Sequence, residues 1–178
     1  MTIADFKPAT IEDIENLPEG QRAELIDGVI YMQAAPLRIH QRLSGQLQHR
    51  ILNHIEQVGK PCDVYNAPFA VRLGDNYVEP DISVICDPSK LTEKGCQGAP
   101  DWIIEILSPA TAMNDYVRKL ALYARSGVRE YWIVNPAGHS VRTYLFSEPE
   151  PQSREYSFDD MIPVGISEGF TIRIADLL

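Results

Sequence analysis

Two acidic residues stand where apolar side chains are expected. Asp81 lies in VEPDISVIC (residues 78–86) and Glu105 in DWIIEIL (residues 101–107), both strand-like runs. An unpaired buried carboxylate is costly, so each must be neutral, paired with a base or bound to a metal. If the two strands are neighbours, the carboxylates converge into a hard-oxygen site suited to Mg²⁺ or Mn²⁺. A structural Arg or Lys beside each acid is the other reading that these residues leave open. Further on, Asp115, Lys119 and Tyr123 recur at steps of four and form one helical stripe. From it Lys119 either reaches the two acids or makes a solvated pair with Asp115, worth little.

The elements that must position these groups are marked by periodicity and punctuation. Thr10 to Leu17 predicts a short helix, with Thr10 as N-cap and Asp13 three residues on. In AELIDGVIYM, residues 23–32, Asp27-Gly28 predicts a two-residue hairpin turn that places Glu24 on the first strand. A helix is expected from Pro36 to about Val58, with Leu43, Leu47, Ile51, Ile55 and Val58 as its apolar stripe and His40 near its start. Strands are expected at 64–73 and 78–86, the second interrupted or opened by Pro80. Residues 87–100 read as a turn-rich loop beside both acidic strands, a candidate substrate contact. The nearly all-apolar run 101–107 predicts a central strand buried on both faces. A helix over 112–126, capped by Gly127, and a strand over 129–134 complete a right-handed parallel crossover. Residues 140–146 add a strand, and Phe170 to Ile174 is expected as a final edge strand.

Length and composition narrow the classes. A chain of 178 residues that is 44% apolar fits one domain, 1–178, with its core at about 23–146. The net charge of −9 argues against a protein that coats nucleic acid by bulk charge, but not against an enzyme with a local cleft and bound metal. The N-terminus has no secretory pattern and no run is long enough to span a membrane, so a cytoplasmic location is expected. Three cysteines, Cys62, Cys86 and Cys96, none spaced Cys-x-x-Cys, fit a reducing compartment with no disulfide framework, and Cys86 reads as strand core. No P-loop, Rossmann glycine pattern or Gly-x-Ser-x-Gly motif is expected, so nothing points to a covalent intermediate.

Taken together, the motifs resemble a known family. AELIDGVIYM, a helix opening with His40, VEPDISVI, GAPDWIIEILSPAT and NDYVRKLALYARSGVREYWIV are similar to the Uma2 family, also called DUF820, within the PD-(D/E)xK nuclease superfamily. The resemblance spans about 23–146. It implies an α/β fold, a restriction endonuclease-like αβββαβ core with a central mixed sheet, flanking helices and extra hairpins. It also implies an endonuclease that hydrolyses DNA phosphodiester bonds through metal-activated water, with Mg²⁺ (or Mn²⁺) as cofactor. Asp81 matches the acid of the PD motif and Glu105 the acid of the (D/E)xK element, the two metal ligands. The position two after Glu105 is Leu107, so the superfamily lysine is displaced, and Lys119 is the matching residue. Glu24 and His40 match further family positions that complete the catalytic set.

Other groups receive plainer readings. His49 and His54 are expected at the surface and His139 in a turn. Trp102, Trp132, Tyr131 and Tyr123 read as core, and Arg38, Arg42 and Arg50 as a solvated face that could also meet phosphate. Paired carboxylates also serve glycosidases, but the lysine, the small size and the crossover disfavour that. An inactive nuclease fold used for protein–protein interaction is the alternative. Partners expected are DNA, bound weakly and with metal, and a second copy in a homodimer, since two sites related by a two-fold axis cut two strands readily; no membrane is expected.

Overall fold

In the computed structural model, residues 7–108, 112–146 and 150–178 are described. Helix α1 (Ile11–Glu15) has the expected capping box between Thr10 and Asp13. Strands β1 (Ala23–Ile26) and β2 (Val29–Met32) form the expected hairpin. Asp27 and Gly28 both adopt positive φ, 50° and 76°, as a tight primed turn requires. Helix α2 (Arg38–Val58) buries Leu43, Leu47, Ile51 and Ile55 and ends at left-handed Gly59. Val58, expected on the buried stripe, is exposed as the last residue of the helix.

The two long strands predicted next are each broken in two. Residues 64–73 divide into β3 (Asp63–Asn66) and β4 (Val71–Leu73), separated by Ala67-Pro68. Residues 78–86 divide into β5 (Asn76–Val78) and β6 (Ile82–Ile85), separated by Glu79-Pro80-Asp81. Proline cannot donate to a ladder, so each break lets the chain leave one sheet for another. The region 87–100, expected as a loop, holds a 3₁₀ turn (Pro88–Lys90) and a hairpin of β7 (Leu91–Thr92) and β8 (Gly95–Gln97). Its backbone is tied to the neighbouring strand by Cys96 N to Ala70 O (2.8 Å) and Gly98 N to Arg72 O (2.9 Å).

Strand β9 (Trp102–Ile106), helix α3 (Ala112–Ser126) and β10 (Glu130–Asn135) make the predicted crossover, with β9 and β10 parallel. Strands β11 (Ser140–Leu145) and β12 (Gln152–Ser157) continue that sheet. The main sheet runs β12-β11-β10-β9-β6-β3, so α2-β3-β6-β9-α3-β10 realises the αβββαβ order. A second sheet runs β2-β1-β5-β4-β8-β7. The expected edge strand near 170–174 is instead β14 (Thr171–Ile172), paired only with β13 (Ile162–Pro163) in a small separate ladder. A 3₁₀ turn over Ile174–Leu177 closes the chain.

The centre of the main sheet, β6, β9 and β10, is buried on both faces. On one, Ile82, Val84, Trp102, Ile104, Trp132 and Val134 meet α2 and the apolar tail from Phe158 to Leu177. On the other, Ile85, Ile103, Tyr131 and Ile133 meet Leu122 and Tyr123 of α3 and the inner face of the second sheet. Among the described residues, no helix is long and apolar enough to cross a membrane.

One cysteine expectation is overturned. Cys62 and Cys86 form a disulfide with Cα atoms 3.9 Å apart, leaving buried Cys96 as the free thiol. The pairing Asp63↔Ile85 places Cys62 and Cys86 at the next facing positions of the β3–β6 ladder, a proximity that spacing along the chain did not disclose.

Candidate active site

The break at Pro80 positions the first acid. Strand β6 pairs antiparallel with β9 through Ile82↔Ile104, and its ladder stops there. Asp81 is the next residue out and faces Glu105 in register. Its Oδ2 accepts the Ile106 N–H at 2.7 Å, satisfying a backbone donor left where the ladder ends. The same oxygen meets Nε2 of His40, from the first turn of α2, at 3.0 Å. Burial opposes charge on His40, but the hydrogen bond and charge of Asp81, with the charge of Glu105 behind it, raise its pKa overall. Among the described residues, Nδ1 of His40 is buried without a partner.

Glu105 is held from the opposite side by α3. Lys119 Nζ donates to its Oε1 at 2.9 Å and Tyr123 OH to the same oxygen at 2.8 Å. Lys119 also straddles both oxygens of Glu24, at 2.9 and 2.8 Å. Glu24 Oε1 accepts the backbone N–H of Glu79 at 2.9 Å. Glu24, Glu105 and Lys119 are 5%, 9% and 9% exposed, so the solvated reading of Lys119 is excluded by its position. The side chain of Asp115 lies outside the described residues.

The electrostatics follow from counting charges. Glu24, Asp81 and Glu105 bring three carboxylates together, against one ammonium, Lys119, and the imidazole of His40 on Asp81. Burial, followed by the charges of Asp81 and Glu24, pushes Glu105 up to about 7, although Lys119 pulls it down. Lys119 is itself raised, because the two glutamates outweigh the cost of burying its charge. The ammonium is therefore fixed, and Glu105 is the acid left in excess. An excess of buried negative charge is what a divalent cation relieves. Among the described residues, no three of His, Cys, Asp and Glu are already arranged around one ion position. Asp81 and Glu105 are nonetheless the residues that could hold Mg²⁺, which keeps several waters and takes few protein ligands.

The five residues singled out from the sequence form two bonded groups, His40 with Asp81 and Lys119 with Glu24 and Glu105, brought side by side by the β6–β9 register. Asp81 and Glu105 face each other, His40 holds the first, Lys119 joins the second to Glu24. The bond from Tyr123 to Glu105 was missed, although its place on the Lys119 stripe was the available signal. Glu79 was also missed; its carboxylate pairs with Arg22 at 2.6 Å while its N–H anchors Glu24. No side-chain pattern could disclose a backbone donor. His49 is exposed as expected, whereas His54 stacks on Phe170 with ring centroids 3.8 Å apart. Trp102, Trp132, Tyr131 and Tyr123 are core as predicted, and Arg38, Arg42 and Arg50 are exposed.

Comparison with known proteins agrees with this architecture. The chain is 29% identical over 146 residues to an uncharacterised protein of Synechocystis sp., covering 79% of this chain and 76% of that one. Its fold matches, at a TM-score of 0.79, the crystal structure of "a putative nuclease belonging to DUF820" from Anabaena variabilis, with 24% identity, 96% of this chain and 97% of that one covered. At that identity the match speaks for the fold alone. The model of the Uma2 family, described as "Putative restriction endonuclease", matches residues 10–175. With nearly its whole length matched, the chain belongs to the Uma2 family.

Proposed function

We propose that the chain is a metal-dependent endonuclease that hydrolyses DNA phosphodiester bonds, acting as one domain over 1–178. The observation that carries this reading is the facing pair of half-buried Asp81 and buried Glu105, with a third carboxylate, Glu24, on the same ammonium of Lys119 as Glu105. Asp81 and Glu105 would hold Mg²⁺ or Mn²⁺. The ion would neutralise the scissile phosphate and lower the pKa of a water, which would lose a proton and attack as hydroxide.

The chain's own groups prepare that site. His40 and the Ile106 N–H fix the Asp81 carboxylate, and Tyr123 and Lys119 fix that of Glu105. Glu24 holds Lys119 in place, so a positive charge stands beside the acids before substrate arrives. Such fixed charge stabilises a transition state without reorganisation cost. The net charge of −9 predicts weak DNA affinity that falls steeply with salt. A homodimer would place two sites on the two strands of a duplex.

The test is nicking of supercoiled plasmid in Mg²⁺ and in Mn²⁺ by the wild type, Asp81→Asn and Glu105→Gln. Cleavage should vanish with chelator and fall about 10²–10³-fold in either variant, the usual loss when a preorganised charge is removed. Equal cleavage by Asp81→Asn, or no cleavage of DNA in any divalent metal, would refute it; the latter would favour an interaction module.

A further inference from the structure

A second group of reactive side chains lies at the other end of α2. His54 is about 21 Å from His40 along the helix axis, at ~1.5 Å per residue. Lys60 follows the helix end, and Ser167 sits in the turn between β13 and β14. Against the expectation stated above, Gly165-Ile166-Ser167-Glu168-Gly169 has Gly-x-Ser-x-Gly spacing. It is not the strand-to-helix elbow of hydrolases, because Ser167 N donates to Val164 O (3.1 Å) and Phe170 N to Ser167 O (3.0 Å) in a closed turn.

The hydrogen bonds orient the serine proton. Lys60 Nζ lies 3.1 Å from Ser167 Oγ and 3.4 Å from Ile166 O. An ammonium only donates, so Oγ accepts from it. The single hydroxyl proton is then free to point at Nε2 of His54, 2.8 Å away. Burial, then the charges of Lys60 and Arg50, lower the His54 pKa and keep the ring neutral, able to accept. Stacking on Phe170, within 2° of parallel, holds that ring. All three residues line a cleft of about 280 Å³ whose other walls include Ile51, Ile55, Val84, Trp102 and Phe170. That volume is near the lower end for ligand pockets, ~300 Å³, and its apolar lining suits a short hydrocarbon chain.

We infer that Ser167, His54 and Lys60 form a second reactive site, in which Ser167 accepts an acyl group from small apolar esters. The Ser167 Oγ–carbon bond forms as the O–H bond breaks, its proton passing to Nε2 of His54. The carbonyl electron pair moves onto oxygen, where the Lys60 ammonium opposes the charge. Collapse restores the carbonyl and breaks the ester C–O bond, and the departing alkoxide or phenolate takes the proton from His54. The products are an acylated Ser167 and an alcohol. Water then releases the acid by the same proton path.

The test is reaction of the full chain with p-nitrophenyl butyrate, following the nitrophenolate burst and mapping the adduct by mass spectrometry. The expected result is a burst near one equivalent, with the butyryl group on Ser167. Ser167→Ala should abolish it. His54→Phe, which keeps the stack on Phe170 but removes the base, should slow it about 100-fold, and His54→Gln should do the same if His54→Phe does not fold. No adduct on the wild type, an adduct on Lys60 instead, or an undiminished burst in Ser167→Ala would overturn the assignment.

Discussion

Replacing Lys119 by Met removes the one ammonium that Glu24 and Glu105 share. Breaking a buried pair by deleting one partner costs about 3–5 kcal/mol, because the other charge stays buried and unpaired. For a chain of this size, 1 kcal/mol corresponds to roughly 2–4 °C in melting temperature, so a fall of roughly 6–20 °C is expected without divalent metal. The loss should also depend on pH. In the wild type Glu105 titrates at about 7, and without Lys119 it must titrate higher. Between pH 7 and 8 the variant therefore still holds a proton that the wild type has released. At ~1.4 kcal/mol per pH unit, Lys119→Met should lose about 1 kcal/mol more at pH 8 than at pH 5. Urea unfolding followed by circular dichroism at both pH values measures this. A loss under ~1 kcal/mol at pH 8, or the same loss at both, would show that Lys119 does not carry the buried charge balance.

Other consequences can be checked on the same protein. The folded-state pKa of Glu105 lies above its usual 4.5, so its contribution is full below that value and is lost as pH rises to about 7; the metal-free wild type should lose about 3 kcal/mol across this window relative to Glu105→Gln. His40 is also raised and acts in the same direction from 6.5 upward. A divalent ion at 100 times its Kd should add about 2.7 kcal/mol of stability, visible as a higher melting temperature and absent in Asp81→Asn. Denatured but unreduced protein should expose one reactive thiol, Cys96, and three after reduction; three before reduction would contradict the disulfide.

Signals confined to one element were legible from residue types alone. The Asp27-Gly28 turn, the stripe of α2 and the β9–α3–β10 crossover each need only a few neighbouring positions. What periodicity could not supply was membership of a sheet. The alternation through 64–73 is real, but Pro68 interrupts it, and β3 and β4 end in different sheets. Pro80 does the same between β5 and β6, and that break gives Asp81 its place. The Cys62–Cys86 bond depends on register between β3 and β6, which chain spacing does not reveal. At the site, the acids were conspicuous because they interrupt apolar strands. Tyr123 was not, since a tyrosine on a buried helix face reads first as core. The tail beyond Pro149 was hard for a related reason: β13 and β14 have two residues each, too few for any period to register.

Anomalous diffraction from a crystal soaked in Mn²⁺ tests the central claim most directly. The account predicts a single strong peak about 2.1 Å from an oxygen of Asp81 and an oxygen of Glu105, with Lys119 still joining Glu105 to Glu24. No peak between these two acids at saturating Mn²⁺, or an ion held elsewhere while they keep their present bonds, would contradict it.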